Sequence, residues 1–252
     1  MMQMLSLNRR GALALGAGAC LATWLRPAMA AATRPVVVEL FTSQGCSSCP
    51  PADQLLGEIK TMPGVIAISI NVDYWDYLGW RDTLADKSHS QRQYDYARAR
   101  GDMDVYTPQI IVDGGSHYVG SNRSVVLAAI KRALEAQPRN PVGMSIADDS
   151  DEITVSVSGQ PGPAEKSTIW LMPIAPQIAV KIEKGENTGR DIVYHNVARR
   201  IIPAGVWQGE PVTLRLAKKT LLTPECTACV ALLQTGAVGP VIGAASWGTF
   251  SA

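Results

Sequence analysis

The first half of the chain alternates short runs of β-branched apolar residues with segments whose apolar positions return every three or four residues, a pattern of strands separated by helices. Val36-Val37-Val38-Glu39-Leu40-Phe41 has strand length and is bounded by Pro35 and the Thr42-Ser43-Gln44-Gly45 turn. After Pro50-Pro51, Leu55, Leu56 and Ile59 fall on one helical face until Met62-Pro63-Gly64 stops it. Val65 to Val72 reads as a second buried strand, and roughly 83–100 as a helix. Gln109 to Val112 forms a strand that Asp113-Gly114-Gly115 turns into a partner around His117-Tyr118-Val119. A last helix, about 123–136, carries Val126, Leu127, Ile130 and Leu134 on one face. The predicted order is β-α-β-α-β-β-α.

Pro138-Arg139-Asn140-Pro141 interrupts this pattern, and beyond it strands alternate with Gly/Pro turns. Strands are expected at 153–157, 167–173, 178–183, 194–200, 212–216 and 230–234. The chain therefore divides into an α/β domain at 31–137, with a central mixed sheet flanked by helices, and a mostly-β, sandwich-like C-terminal domain at 142–252.

The N-terminus reads as an address. Asn8-Arg9-Arg10 precedes a weakly apolar run from Gly11 to Leu25, and Ala28-Met29-Ala30 offers a small-x-small cleavage site. The paired arginines point to a twin-arginine signal peptide at 1–30, cleaved near Ala30, and hence to the periplasm. Fifteen residues are too few for a good membrane span, so no stable membrane insertion is expected after its removal. The formal charge of +1 then changes, because Arg9, Arg10 and Arg26 leave with the segment: 20 basic and 22 acidic residues remain, a net charge of −2. That balance argues against a nucleic-acid partner.

Removing the leader also removes Cys20 and leaves four cysteines in two pairs of identical spacing, Cys46-Ser47-Ser48-Cys49 and Cys226-Thr227-Ala228-Cys229. A two-residue gap closes a small ring more typical of redox or metal chemistry than of a fold staple. Cys46 lies in the turn before a helix, where unpaired amides and the helix dipole favour its thiolate; Cys49, in the first helical turn, is the more shielded thiol that would resolve a mixed disulfide. No helix signal follows Cys229. A local Cys226–Cys229 disulfide before the last strands is therefore the simplest expectation, with a second electron-passing dithiol or a soft-metal site such as Cu(I) as alternatives. His89, His117 and His195 lack metal-ligand spacing, and no metal site or organic cofactor is expected.

The order strand, C-x-x-C, helix resembles the thioredoxin superfamily. The stretch from Glu39 through Cys46-Ser47-Ser48-Cys49-Pro50-Pro51 to Asp53, with Asp73-Tyr74-Trp75-Asp76-Tyr77-Leu78-Gly79-Trp80, Tyr106-Thr107-Pro108-Gln109 and Gly185-Glu186-Asn187-Thr188-Gly189-Arg190, resembles the exported thioredoxin-like family catalogued as DUF1223. The resemblance implies a cis Thr107–Pro108 bond whose backbone faces substrate, and a buried carboxylate at Glu39 that relays the resolving thiol's proton. Glu39 could instead be a structural acid bonded to a facing element. Trp75, with Tyr77 and Trp80, is either part of a substrate groove or cement between the two domains. The expected activity is thiol–disulfide exchange with protein thiols or disulfides, with a redox partner protein. A copper metallochaperone and a non-catalytic thioredoxin-like interaction protein are the alternatives.

Overall fold

The structure, a computed structural model, describes residues 34–136, 142–159 and 166–248. The leader, Cys20 and the Pro138–Pro141 boundary lie outside these residues. The first half contains β1 (Val36–Thr42), α1 (Pro50–Ile59), β2 (Val65–Asn71), a 3-10 turn (Asp76–Leu78), α2 (Lys87–Arg100), β3 (Gln109–Val112), β4 (Ser116–Val119) and α3 (Arg123–Glu135), in the predicted order. α2 begins four residues later than the pattern suggests. Asp86 caps it by accepting from Ser88 N at 2.8 Å, while the Leu84 amide is already bonded to the Asp82 carboxylate.

β1 pairs parallel with β2 and antiparallel with β3, and β4 closes that edge. Alternation along β1 divides the core. Val36, Val38 and Leu40 face α1 and α3, packing on Leu55, Leu56, Ile59, Val126 and Ile130; Val37 and Phe41 face the side of α2, packing with Tyr96.

The second half contains β5 (Met144–Asp148), β6 (Glu152–Val157), β7 (Ser167–Lys181), β8 (Asp191–Ala198), β9 (Ile202–Trp207), β10 (Val212–Ala217), α4 (Lys218–Leu221), β11 (Ala228–Thr235) and β12 (Val241–Gly248). The sequence pattern predicts a separate module here, but these strands extend the first sheet. Among the described residues nine strands form one mixed sheet in the order β12-β11-β7-β8-β2-β1-β3-β4, with β9 beside the first half of β7. The join is β2 to β8, where Ser69 pairs with Val197 and Asn196 Nδ2 donates to Ala67 O at 3.0 Å. The sandwich character survives locally. The small sheet β10-β6-β5 contributes Ile153, Val155 and Val157 to a core shared with Ile169, Leu171, Trp207 and Leu233 of the large sheet. No described helix is long and apolar enough to cross a membrane.

The two strands expected at 167–173 and 178–183 are one fifteen-residue strand. Its first part pairs with β11 and β9, its second with β8, and Pro176 falls where the ladder skips Asn196, which adopts φ 47°. A proline is tolerated where no ladder N–H is required.

A buried polar network on the α2 face ties the halves together. Arg92 Nε donates to Glu39 Oε1 at 2.7 Å, Arg92 NH2 donates to Gln234 Oε1 of β11 at 2.7 Å, and the Tyr96 hydroxyl donates to the other Glu39 oxygen. Both ends of the ion pair are almost wholly buried. Removing one partner strands the other charge, which costs about 3–5 kcal/mol. Arg92→Leu is therefore expected to lower unfolding free energy by about that amount in urea denaturation, with Arg92→Leu/Glu39→Leu recovering part of the loss.

Candidate functional site around Cys46 and Cys49

The chain leaves β1 through a tight turn in which Cys46 N donates to Ser43 O and Cys49 N to Cys46 O, both at 3.2 Å. Gly45 is required here by close approach: a side chain on it would lie 3.0 Å from Trp75 Cβ and 3.3 Å from Trp75 O. Cys49 is the N-cap of α1, and its carbonyl accepts from Ala52 N and Asp53 N at 2.8 and 3.1 Å. Pro50 and Pro51 fill positions whose amides have no intrahelical partner. Cys46 and Cys49 are joined as a disulfide, with their Cα atoms 5.4 Å apart.

The other expected contact residues converge on this turn. The Thr107–Pro108 bond is cis. Trp75, packed on Gly45, donates from Nε1 to Thr107 Oγ1 at 2.8 Å, and Gly120 lies against both Pro108 and Ala52 of α1. Trp80 Nε1 donates to Gln44 Oε1 at 2.8 Å, whereas Tyr77 is 78% exposed. Trp75 and Trp80 thus brace the disulfide turn.

Glu39 does not reach the cysteines by any hydrogen bond. It sits on the α2 face of β1 with one carboxylate oxygen held by Arg92 and the other by Tyr96, the structural arrangement rather than a free proton relay. The buried acid beside Cys49 is Asp53, which the sequence pattern did not single out. It follows Cys49 by one helical turn, interrupts the apolar face formed by Ala52, Leu55, Leu56 and Ile59, and is only 3% exposed. Neither carboxylate oxygen has a hydrogen-bond partner. Burial pushes its pKa well above the usual carboxylate range, the nearby Thr42 hydroxyl opposes the shift, and the Asp82 carboxylate reinforces it. Asp82 is itself raised by burial but accepts from Gln44 N, Asn71 Nδ2 and Leu84 N at 2.8–3.0 Å.

Cys46 is 1% and Cys49 0% exposed, although Ser47 and Ser48 face solvent. A contribution to this closure comes from the β7–β8 loop. Asn187, wholly buried, donates from Nδ2 to Gln44 O at 3.0 Å and to Cys46 O at 2.9 Å, while Gly185, at φ 81°, brings the loop against Trp80. The loop latches the turn from the second half of the chain.

The second cysteine pair departs from expectation. Cys226 and Cys229 are free thiols, so the local disulfide is not formed. Cys229 lies inside β11, where it pairs with Pro173 and Trp247 and faces the core shared with the small sheet; this extended backbone differs from the tight turn that carries the first pair. Burial, reinforced by neighbouring Cys226, pushes the Cys229 thiol up to about 12, so it is protonated at neutral pH. His117 also finds neighbours that spacing hid: ligand atoms of Asp102, Asp104 and His117 lie within 4.8 Å of one another. Arg100 already donates to both Asp102 oxygens, and these bonds hold that carboxyl at about 2. Arg100 also donates to the Asp104 carbonyl at 3.1 Å, so the cluster reads as an arginine-tied loop staple.

The family model described as "Protein of unknown function (DUF1223)" matches residues 37–234, which include the disulfide turn, Thr107–Pro108, the Asn187 loop and Gln234. The chain belongs to the DUF1223 family. Its fold is similar to a structural-genomics crystal structure of a protein from Agrobacterium tumefaciens, at 30% identity and a TM-score of 0.72, covering 85% of this chain and 94% of that one. It is also similar to HBP35 of Porphyromonas gingivalis, at 13% identity and a TM-score of 0.59, covering 87% of this chain and 76% of that one, which is a likeness of fold alone. A search of curated proteins finds no match.

Two predictions follow from this DUF1223 site. The Asn187 hydrogen bonds contribute about 1 kcal/mol each, so Asn187→Ala should speed reduction of Cys46–Cys49 by dithiothreitol by about 10–30-fold, measured by timed thiol alkylation. Asp53 binds its proton more tightly folded than unfolded, so its contribution to stability is full below about pH 4 and is lost as pH rises through its folded pKa. Asp53→Asn should therefore match the native Tm near pH 3.5 and exceed it by about 4 °C at pH 8.

Proposed function

We propose that this DUF1223 protein is an exported thiol–disulfide oxidoreductase with a thioredoxin-like first half, acting on thiols or disulfides of other polypeptides. The observation that carries the reading is the Cys46–Cys49 pair at the start of α1, directly after β1, an interior strand of the sheet. That position sets the attacking sulfur at the positive end of a helix and supports a stabilised thiolate on reduction. The strand order β2-β1-β3-β4, with α1 and α3 on one face and α2 on the other, supports the thioredoxin-like assignment.

In the reductive direction the Cys46 thiolate attacks a substrate disulfide, forming a mixed disulfide and releasing one substrate thiolate. Cys49 then loses its proton and attacks Cys46 Sγ, so that the Cys46–Cys49 bond forms and the second substrate thiolate leaves. The enzyme dithiol gives up two electrons and the substrate disulfide gains two. The reverse sequence donates a disulfide. Thr107, Pro108 and Trp75 border the turn where the substrate chain would lie.

The burial of Cys46 favours a second reading, a non-catalytic interaction protein whose disulfide stays closed. Cysteine variants separate the two. Cys46→Ser should reduce turnover of a protein disulfide by about 100-fold or more, Cys49→Ser should accumulate a mixed disulfide on Cys46, and Cys226→Ser/Cys229→Ser should keep most activity. Turnover and trapping that are equal in all three would favour the interaction protein.

A further inference from the structure

Asp53 is a buried acid that the exchange steps above do not use. Ordinary structural carboxylates in this protein are satisfied: Glu39 is held by Arg92 and Tyr96, and Asp82 accepts three hydrogen bonds. Asp53 has none, although an unmade bond to a buried polar group is costly. The Thr42 hydroxyl is near enough to favour its ionised form, and the Tyr194 hydroxyl also lacks a partner. Asp53 also lines a groove of about 540 Å³ between α1 and β8, beginning at Pro50 next to Cys49 and walled by His195, whose ring packs on Gly57.

We infer that Asp53 is the proton acceptor for the Cys49 thiol, placed one helical turn behind it and beside the α1–β8 groove. The inference rests on the oxidoreductase reading. Residues four apart on a helix share a face with Cβ atoms about 5–6 Å apart, a separation that a thiol and a carboxylate side chain span. When Cys46 carries a mixed disulfide, the Cys49 proton passes to the Asp53 carboxylate, the Cys49 thiolate attacks Cys46 Sγ, and the substrate thiolate leaves. Asp53 then returns the proton to solvent. In the opposite direction protonated Asp53 supplies the proton that Cys49 takes when its bond to Cys46 breaks.

Several groups set the ionisation of Asp53. Burial and the Asp82 carboxylate favour the protonated acid. The Thr42 hydroxyl and the N-terminal end of α1 favour the carboxylate. Tyr194 on β8 stays neutral, its pKa raised by burial and then by Asp53 and Asp82, and burial also lowers the His195 pKa toward the neutral imidazole. Arg190 and Asp191 at the groove wall bring charges of opposite sign. A buried acid whose pKa lies above the range of a surface aspartate suits proton transfer with a thiol.

The test is rapid-quench reaction of the fully reduced protein with oxidised glutathione, followed by mass analysis of the glutathione adduct on Cys46. Asp53→Asn should form the adduct at the native rate and resolve it about 100-fold more slowly at pH 7. A carboxyl titration in the native pH profile of resolution should disappear in Asp53→Asn and reappear in Asp53→Glu. An Asp53→Asn protein that resolves the adduct at the native rate, with the native profile, overturns the role of Asp53 while the oxidoreductase reading stands. Native protein that never forms the adduct overturns both. A variant-free measurement guards against misfolding: the Asp53 carboxyl resonance should titrate at a midpoint that differs by about one unit or more between the reduced and oxidised native protein, and identical midpoints overturn the inference.

Discussion

A carboxylate on an interior strand of a sheet has to be neutralised by whatever packs against it, and in this chain that requirement organises the molecule. Glu39 faces α2 from the middle of β1, and Arg92 answers it from inside the sheet–helix interface. The guanidinium has more donors than one carboxylate uses, so it also takes Gln234 on β11, a strand from the far half of the sequence. Tyr96 closes the network from one helical turn away, its hydroxyl serving Glu39 while accepting from Gln234 Nε2 at 2.8 Å. One ion pair thereby fixes the orientation of α2 and its distance from both the β1 and β11 segments of a continuous sheet.

The same sheet explains why the disulfide turn is both built and covered. β1 delivers Cys46 to the start of α1, and the β2–β8 join brings the loop before β8 over that turn, where Asn187 binds its carbonyls. Glu39 and Asp53 play different parts because they lie on opposite faces of the sheet. Glu39, among ionic partners, is a structural charge. Asp53, on the α1 side, is pushed by burial and Asp82 toward the protonated acid and drawn by the Thr42 hydroxyl toward the carboxylate. The contrast connects fold to chemistry: stability resides in the satisfied network, and proton exchange in the unsatisfied one.

Much of the first half was legible in sequence because its elements are local. β1, α1, the β3–β4 hairpin and α3 each carry their own period, turn residues or caps, and the C-x-x-C spacing marks the start of α1 directly. The second half was less legible because its decisive features are pairings between distant segments. Nothing local in 167–181 says that Pro173 and Pro176 sit where β7 exchanges one set of partners for another, and nothing in the Pro138–Pro141 break says that later strands rejoin the earlier sheet. The site divides along the same line. Cys46, Cys49, Trp75, Thr107 and Pro108 stand in recognisable motifs, whereas Asn187 acts across 141 residues of sequence on Cys46. Asp53 did leave a trace, an acid on the buried face of an amphipathic helix, but burial without a partner is visible only in three dimensions. For Cys226 and Cys229 the spacing misled, because the same C-x-x-C was read across a strand boundary instead of a turn.

The central claim is that Cys46–Cys49 is a working redox pair despite its burial. The most direct measurement is its equilibrium with glutathione and dithiothreitol redox buffers, followed by thiol trapping in Cys226→Ser/Cys229→Ser protein so that only this pair is read. A working pair gives one reversible two-electron transition with a midpoint between about −270 and −120 mV, the range of exchange-active dithiols. A pair that stays oxidised to below about −300 mV would be a structural disulfide and would contradict it.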